Sequence, residues 1–84
     1  MTMQDNIKSY YQILFGKQLK SARLEKKLSQ ENLALIAGLD RTYISSCERG
    51  ARNISLINII KLAQALDITP TQLLTDERNH KNEP

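Results

Sequence analysis

Four times along the chain an apolar residue precedes a helix-capping residue, and a second apolar residue follows four positions after the cap. The sets are Leu28-Ser29 with Leu33, Leu39-Asp40 with Ile44, Ile54-Ser55 with Ile59, and Ile68-Thr69 with Leu73. A Ser, Thr or Asp at the cap accepts a hydrogen bond from a backbone N–H that the helix leaves unpaired. The flanking apolar pair closes over it as a hydrophobic staple. Thr69 adds Pro70 at the first helical position and Gln72 at the third, which makes a capping box. Helices are therefore predicted to begin near residues 30, 41, 56 and 70, after a longer first helix that ends near Lys27. No stretch alternates with period two for long enough to make a strand. The fold class is all-α, with five helices.

Gly38 and Gly50 fall just after the second and third helices, where a left-handed residue reverses the chain. Gly16 falls inside the first helix, where glycine costs up to ~1 kcal/mol relative to alanine. Residues 1–6 and 76–84 read as frayed ends. The domain proper is expected over 15–75, with 1–14 as an N-terminal extension that can lengthen the first helix and 76–84 as a flexible tail.

Helices two and three are both short and are joined by Gly38-Leu39-Asp40, which is the pattern of a helix-turn-helix. On a helical wheel of the third helix, Ile44, Cys47 and Glu48 face inward. Thr42, Ser45, Ser46 and Arg49 form an outward stripe, with Arg41 at the exposed first turn. Small hydroxyls and guanidinium groups suit a major groove: Arg can give two hydrogen bonds to guanine, and Ser or Thr can serve several bases. Tyr43 lies at the side of the stripe, either against a sugar-phosphate strand or thymine methyl, or as a half-buried ring at the core's edge. Cys47 reads as a small core residue. An inward Glu48 demands a partner, and Arg23 is the candidate.

In the fourth helix, Leu56, Ile59, Leu62, Ala63 and Leu66 share one face, expected to be the core. Ile57, Ile60 and Gln64 form a second stripe that a small core hardly reaches. With Leu73 and Leu74 nearby, that stripe predicts an interface between two copies. A two-fold dimer would set its recognition helices about 34 Å apart, one turn of DNA.

Composition narrows the function further. The chain has 84 residues, 40% apolar and 25% charged, which is one globular domain. Its net charge of +3 understates the asymmetry, because residues 8–61 carry ten basic and four acidic side chains. A basic body points to a polyanionic partner. The longest apolar run, Leu33 to Ala37, is far short of a membrane span, and Met1 to Lys8 lacks the apolar core of a signal peptide. A lone Cys47 without an export signal fits a reducing cytoplasm. One His and one Cys cannot build the usual zinc site, and there is no Gly-rich phosphate loop, so neither a metal nor a cofactor is expected. No Ser–His, Cys–His or paired-carboxylate arrangement stands out, so no catalytic residues and no enzyme are expected.

The run Leu28-Ser29-Gln30-Glu31-Asn32-Leu33-Ala34, then Ala37-Gly38, Tyr43-Ile44-Ser45 and Glu48-Arg49-Gly50, resembles the phage repressor and Cro type of helix-turn-helix. The resemblance covers roughly Phe15 to Leu74 and implies the compact five-helix fold of the lambda-repressor type. Asp40 to Ser45 together with Glu48 to Ser55 is similar to the controller proteins of restriction–modification systems. Carried over by position, the resemblance puts base reading on Arg41, Thr42, Tyr43, Ser45 and Ser46. It puts phosphate and backbone contacts on Ser29, Gln30, Arg49, Arg52 and Asn53, with Gln30 also bracing the recognition helix. The family's buried Arg–Glu bridge falls on Arg23 and Glu48, in agreement with the wheel. The dimer face expected from the pattern is Ile57, Ile60, Gln64, Leu73 and Leu74.

The reading is a sequence-specific transcription regulator that binds an operator in double-stranded DNA as a homodimer; the resemblance implies a restriction–modification controller, of the kind that activates when scarce and represses when abundant. RNA polymerase is a candidate further partner. A phage-type or chromosomal repressor, an antitoxin and a pure protein-interaction module remain open alternatives. Salt-dependent binding to duplex DNA separates the last of these from the rest.

Overall fold

The capping residues act where the sequence puts them. In a computed structural model that describes residues 3–76, the helices are α1 (Met3–Glu25), α2 (Gln30–Ala37), α3 (Arg41–Glu48), α4 (Leu56–Leu66) and α5 (Pro70–Leu74). Ser29 Oγ accepts the Asn32 N–H at 3.0 Å and Ser55 Oγ accepts the Asn58 N–H at 3.2 Å. Asp40 Oδ1 accepts from Thr42 N at 3.3 Å, and Gln72 Oε1 accepts the Thr69 N–H at 2.9 Å. There is no strand among the described residues.

α1 begins at Met3 and so takes in nearly all of the segment set apart as an extension. Residues 77–84 of the expected tail lie outside the described residues. Gly38 (φ 71°) and Gly50 (φ 77°) are left-handed and turn the chain after α2 and α3. The reversals after α1 and α4 use Lys27 (φ 59°) and Asp67 (φ 56°) instead, which glycine spacing could not signal.

The core is formed by Phe15 and Leu19 of α1, Leu33 and Ala34 of α2, Ile44 and Cys47 of α3, Leu62, Ala63 and Leu66 of α4, and Leu73 of α5. Every helix contributes, so α3 is gripped from several sides. Leu73 was expected at a dimer face, but it is 0% exposed. As the staple partner of Ile68 it points back over the Thr69 cap into the core, and that local constraint outweighs its proximity to Leu74. Leu56, expected in the core, is 69% exposed. It is the first residue of α4, and a helical side chain leans toward the N-terminus, here beyond the packed layer.

Gly16 is where α1 crosses the end of α3. A Cβ there would lie 2.5 Å from the Cys47 carbonyl oxygen and 2.8 Å from that of Glu48. Both neighbours are backbone and cannot swing away. Gly16→Ala gains helix propensity, up to ~1 kcal/mol. Forcing apart two packed helices typically costs ~1–3 kcal/mol or more. The variant is therefore expected to be less stable in denaturant unfolding, and a stabilised variant would contradict this packing.

Candidate nucleic-acid interface

α3 presents its functional face because its other faces are held. Ile44 and Cys47 are fully buried, and burial pushes the Cys47 thiol up to about 11, so it stays an uncharged core side chain. Glu48, at the end of α3, meets Arg23 of α1. Arg23 Nε donates to Glu48 Oε2 at 2.6 Å and Nη2 donates to Oε1 at 3.0 Å, the bidentate geometry of a strong ion pair. Arg23 Nη1 donates to the Leu28 carbonyl at 2.8 Å, which ties the start of α2 to the same centre. Gln30 Nε2 donates to Glu48 Oε1 at 3.0 Å. One buried carboxylate thus fixes α1, the α2 entry and α3 in mutual register. The pair stands where both the wheel and the resemblance put it, and the Gln30 side chain braces α3.

The outward edge of α3 holds Arg41, Thr42 and Arg49, all exposed, and a half-buried Ser45. Arg49 Nη1 donates to Ser45 Oγ at 2.7 Å, so the two share one orientation. Two acids occur between residues 40 and 53. Asp40 is engaged in capping α3, and Glu48 is neutralised by Arg23. The three guanidinium groups of Arg41, Arg49 and Arg52 therefore face outward with no competing carboxylate from their own segment.

Ser46, expected in the outward stripe, is buried, 7% exposed. Its hydroxyl donates within α3, to the Thr42 carbonyl at 2.9 Å, and accepts from Arg52 Nε at 3.2 Å. The left-handed Gly50 returns the chain along this flank, where the Ala51 N–H bonds the Ser46 carbonyl at 3.0 Å. A wheel drawn for an isolated helix cannot register that return. Tyr43 also turns inward. It is half-buried, its hydroxyl accepts from Asn58 Nδ2 at 3.0 Å, and its ring lies under the Arg52 guanidinium. Of the two readings open for Tyr43, the geometry is that of the ring at the core's edge.

Ser29 is exposed at the N-cap of α2, and Arg52 and Asn53 are exposed in the loop after α3. On α4, Ile57 is 61% exposed, Gln64 is exposed and Ile60 is half-buried; Leu74 of α5 is also exposed. Ile57, Ile60 and Gln64 lie three or four residues apart and so share one helix face. Asn58 carries no sequence signal of its own. Its contact with Tyr43 spans two helices and emerges only from the fold.

A short helix with a basic, hydroxyl-bearing outer edge, braced behind a second short helix, defines a helix-turn-helix of the DNA-reading kind. Residues 19–73 match the helix-turn-helix family, and the chain belongs to that family of transcription regulators. Within it, the chain groups with the restriction–modification control proteins. It is 48% identical over 73 residues to the control protein C.BamHI of Bacillus amyloliquefaciens, covering 86% of this chain and 85% of that one. The crystal structure of the restriction–modification controller protein C.AhdI from Aeromonas hydrophila superposes with a TM-score of 0.72 at 55% identity, over 74% of this chain and 94% of that one. The biofilm regulator SinR, solved in complex with DNA, superposes at 0.70 with 35% identity, over 73% of this chain and 98% of the chain in that structure. Proteins of this family regulate transcription without catalysing a reaction. Among the described residues no helix is long and apolar enough to cross a membrane.

Proposed function

We propose that this protein is a restriction–modification controller that binds an operator in cytoplasmic DNA as a homodimer and sets transcription according to its own concentration. The observation that carries the reading is the outer edge of α3, with Arg41, Thr42, Ser45 and Arg49 presented together on a helix locked from behind by Arg23, Glu48 and Gln30. Arg41, at the open first turn, reads a guanine, and Thr42 and Ser45 serve neighbouring bases. Ser29, Gln30, Arg49, Arg52 and Asn53 ring this edge and bind phosphates, which fixes register without reading sequence. Two copies join through Ile57, Ile60, Gln64 and Leu74. Activation at low concentration calls for the DNA-bound dimer to contact RNA polymerase, and repression at high concentration for it to block the promoter. The identity to control proteins along most of the chain supports this choice over a phage repressor or antitoxin.

Arg41→Ala is the direct test of base reading. It should cost ~1–3 kcal/mol on a selected operator and relax preference at one position per half-site. Competition binding against operators altered one position at a time measures both. An equal loss on every duplex would make Arg41 a phosphate contact instead.

A further inference from the structure

Behind the reading edge, a chain of side-chain contacts runs from α4 to the loop after α3. Asn58, in the first turn of α4, donates from Nδ2 to the Tyr43 hydroxyl at 3.0 Å. The Arg52 guanidinium lies over the Tyr43 ring, 5.2 Å from its centroid, within the range of a cation–π contact. Arg52 Nε donates to Ser46 Oγ at 3.2 Å, and Ser46 is itself anchored to the Thr42 carbonyl. An arginine has five N–H donors. Here the Nε–H is engaged, and the terminal nitrogens make no hydrogen bond among the described residues. Arg52 is nevertheless exposed. An exposed arginine ordinarily samples many rotamers, and ordering it opposes binding. In this fold the ordering precedes the ligand.

We infer that Asn58 is a positioning residue for DNA binding: by holding the Tyr43 hydroxyl it fixes the ring on which Arg52 rests, and so presents the Arg52 terminal nitrogens, already ordered, to a backbone phosphate. The inference rests on the reading that the loop after α3 meets DNA. It adds a residue that touches no nucleotide and sits on the helix assigned to dimerisation. A purely structural Asn58 would affect folding stability but leave the electrostatics of binding untouched.

The test is a binding cycle on a duplex that the protein itself selects from a random library, followed by fluorescence anisotropy across a salt series. Arg52→Ala should lower the slope of log affinity against log salt by about 0.9, the signature of one lost phosphate contact. Asn58→Leu should weaken binding about three- to tenfold, the effect of one net hydrogen bond. In the Arg52→Ala background the same change should have no further effect, because the two act as one unit. Circular dichroism checks the fold. Should Asn58→Leu fail to fold, Tyr43→Phe removes the same hydrogen bond from its other end and should give the same loss and the same lack of additivity. An additive effect, or no effect while Arg52→Ala weakens binding, overturns the positioning role alone. Unchanged affinity and salt slope in Arg52→Ala overturn the loop's contact with DNA, and the inference with it.

Discussion

Replacing Glu48 with alanine is expected to destabilise the domain by about 3–5 kcal/mol, because it leaves the Arg23 guanidinium buried without its counter-charge. Arg23 is 8% exposed and gives two of its hydrogen bonds to this carboxylate. Its remaining bond, to the Leu28 carbonyl, cannot neutralise it. Domains of this size are stable by roughly 5–15 kcal/mol, so the loss is a large share of the total. Gln30 loses its acceptor at the same time, which frees the brace between α2 and α3. The Arg23→Met/Glu48→Leu double variant removes both charges and should recover much of the stability, since an apolar pair incurs no desolvation cost. Denaturant unfolding of the three proteins decides the matter. A Glu48→Ala loss within about 0.5 kcal/mol, the range of ordinary surface substitutions, would mean that the pair does not hold the helices together.

The second large effect concerns assembly. One copy offers only Arg41, Thr42 and Ser45 to the bases, whereas specific affinities of ~10⁻⁸ M or tighter usually need more contacts. Two joined copies supply them, and the second half-site is then bound as an intramolecular event. Ile57 is the position to break. It is exposed, so an aspartate there disturbs no core packing, yet a two-fold interface would bring the new charge near its symmetry mate. Ile60 is half-buried and would confound assembly with folding. Ile57→Asp is expected to give a helical monomer by sedimentation and circular dichroism. Operator affinity should fall by about 100-fold or more, toward the ~10⁻⁴–10⁻⁶ M of salt-sensitive non-specific binding. A variant that remains dimeric with unchanged affinity would move the interface elsewhere, with Tyr11 and Ile13 of α1 the next exposed candidates.

What was legible in the sequence was local. The caps at Ser29, Asp40, Ser55 and Thr69 mark helix starts because the chemistry that ends a run of backbone donors lies within three or four residues. The Arg23–Glu48 pair could be anticipated because an inward carboxylate has few possible partners. Ser46 is misplaced because its surroundings come from elsewhere in the chain, whereas Leu73 and Leu56 are misplaced by local geometry that a helical wheel leaves out. Ser46 is covered by the return of the chain after Gly50, and Leu73 is drawn inward by its own staple. Leu56 overhangs the end of α4, although its wheel position is the same as that of buried neighbours. Gly16 looked like a weak point in α1, and its reason is the backbone of α3 pressed against it. Asn58 offered no pattern at all, because its meaning depends on a ring fifteen residues away.

The central claim is that two copies of α3 read one stretch of duplex DNA symmetrically. Selection of binding sites from a random duplex library, followed by hydroxyl-radical footprinting of the winning sequence, tests it most directly. The predicted result is an inverted repeat whose two half-sites are protected about 10–10.5 base pairs apart, centre to centre, with both protections lost together in Ile57→Asp. A single unsymmetric protected patch that survives Ile57→Asp, or a library that shows no sequence enrichment, would contradict it.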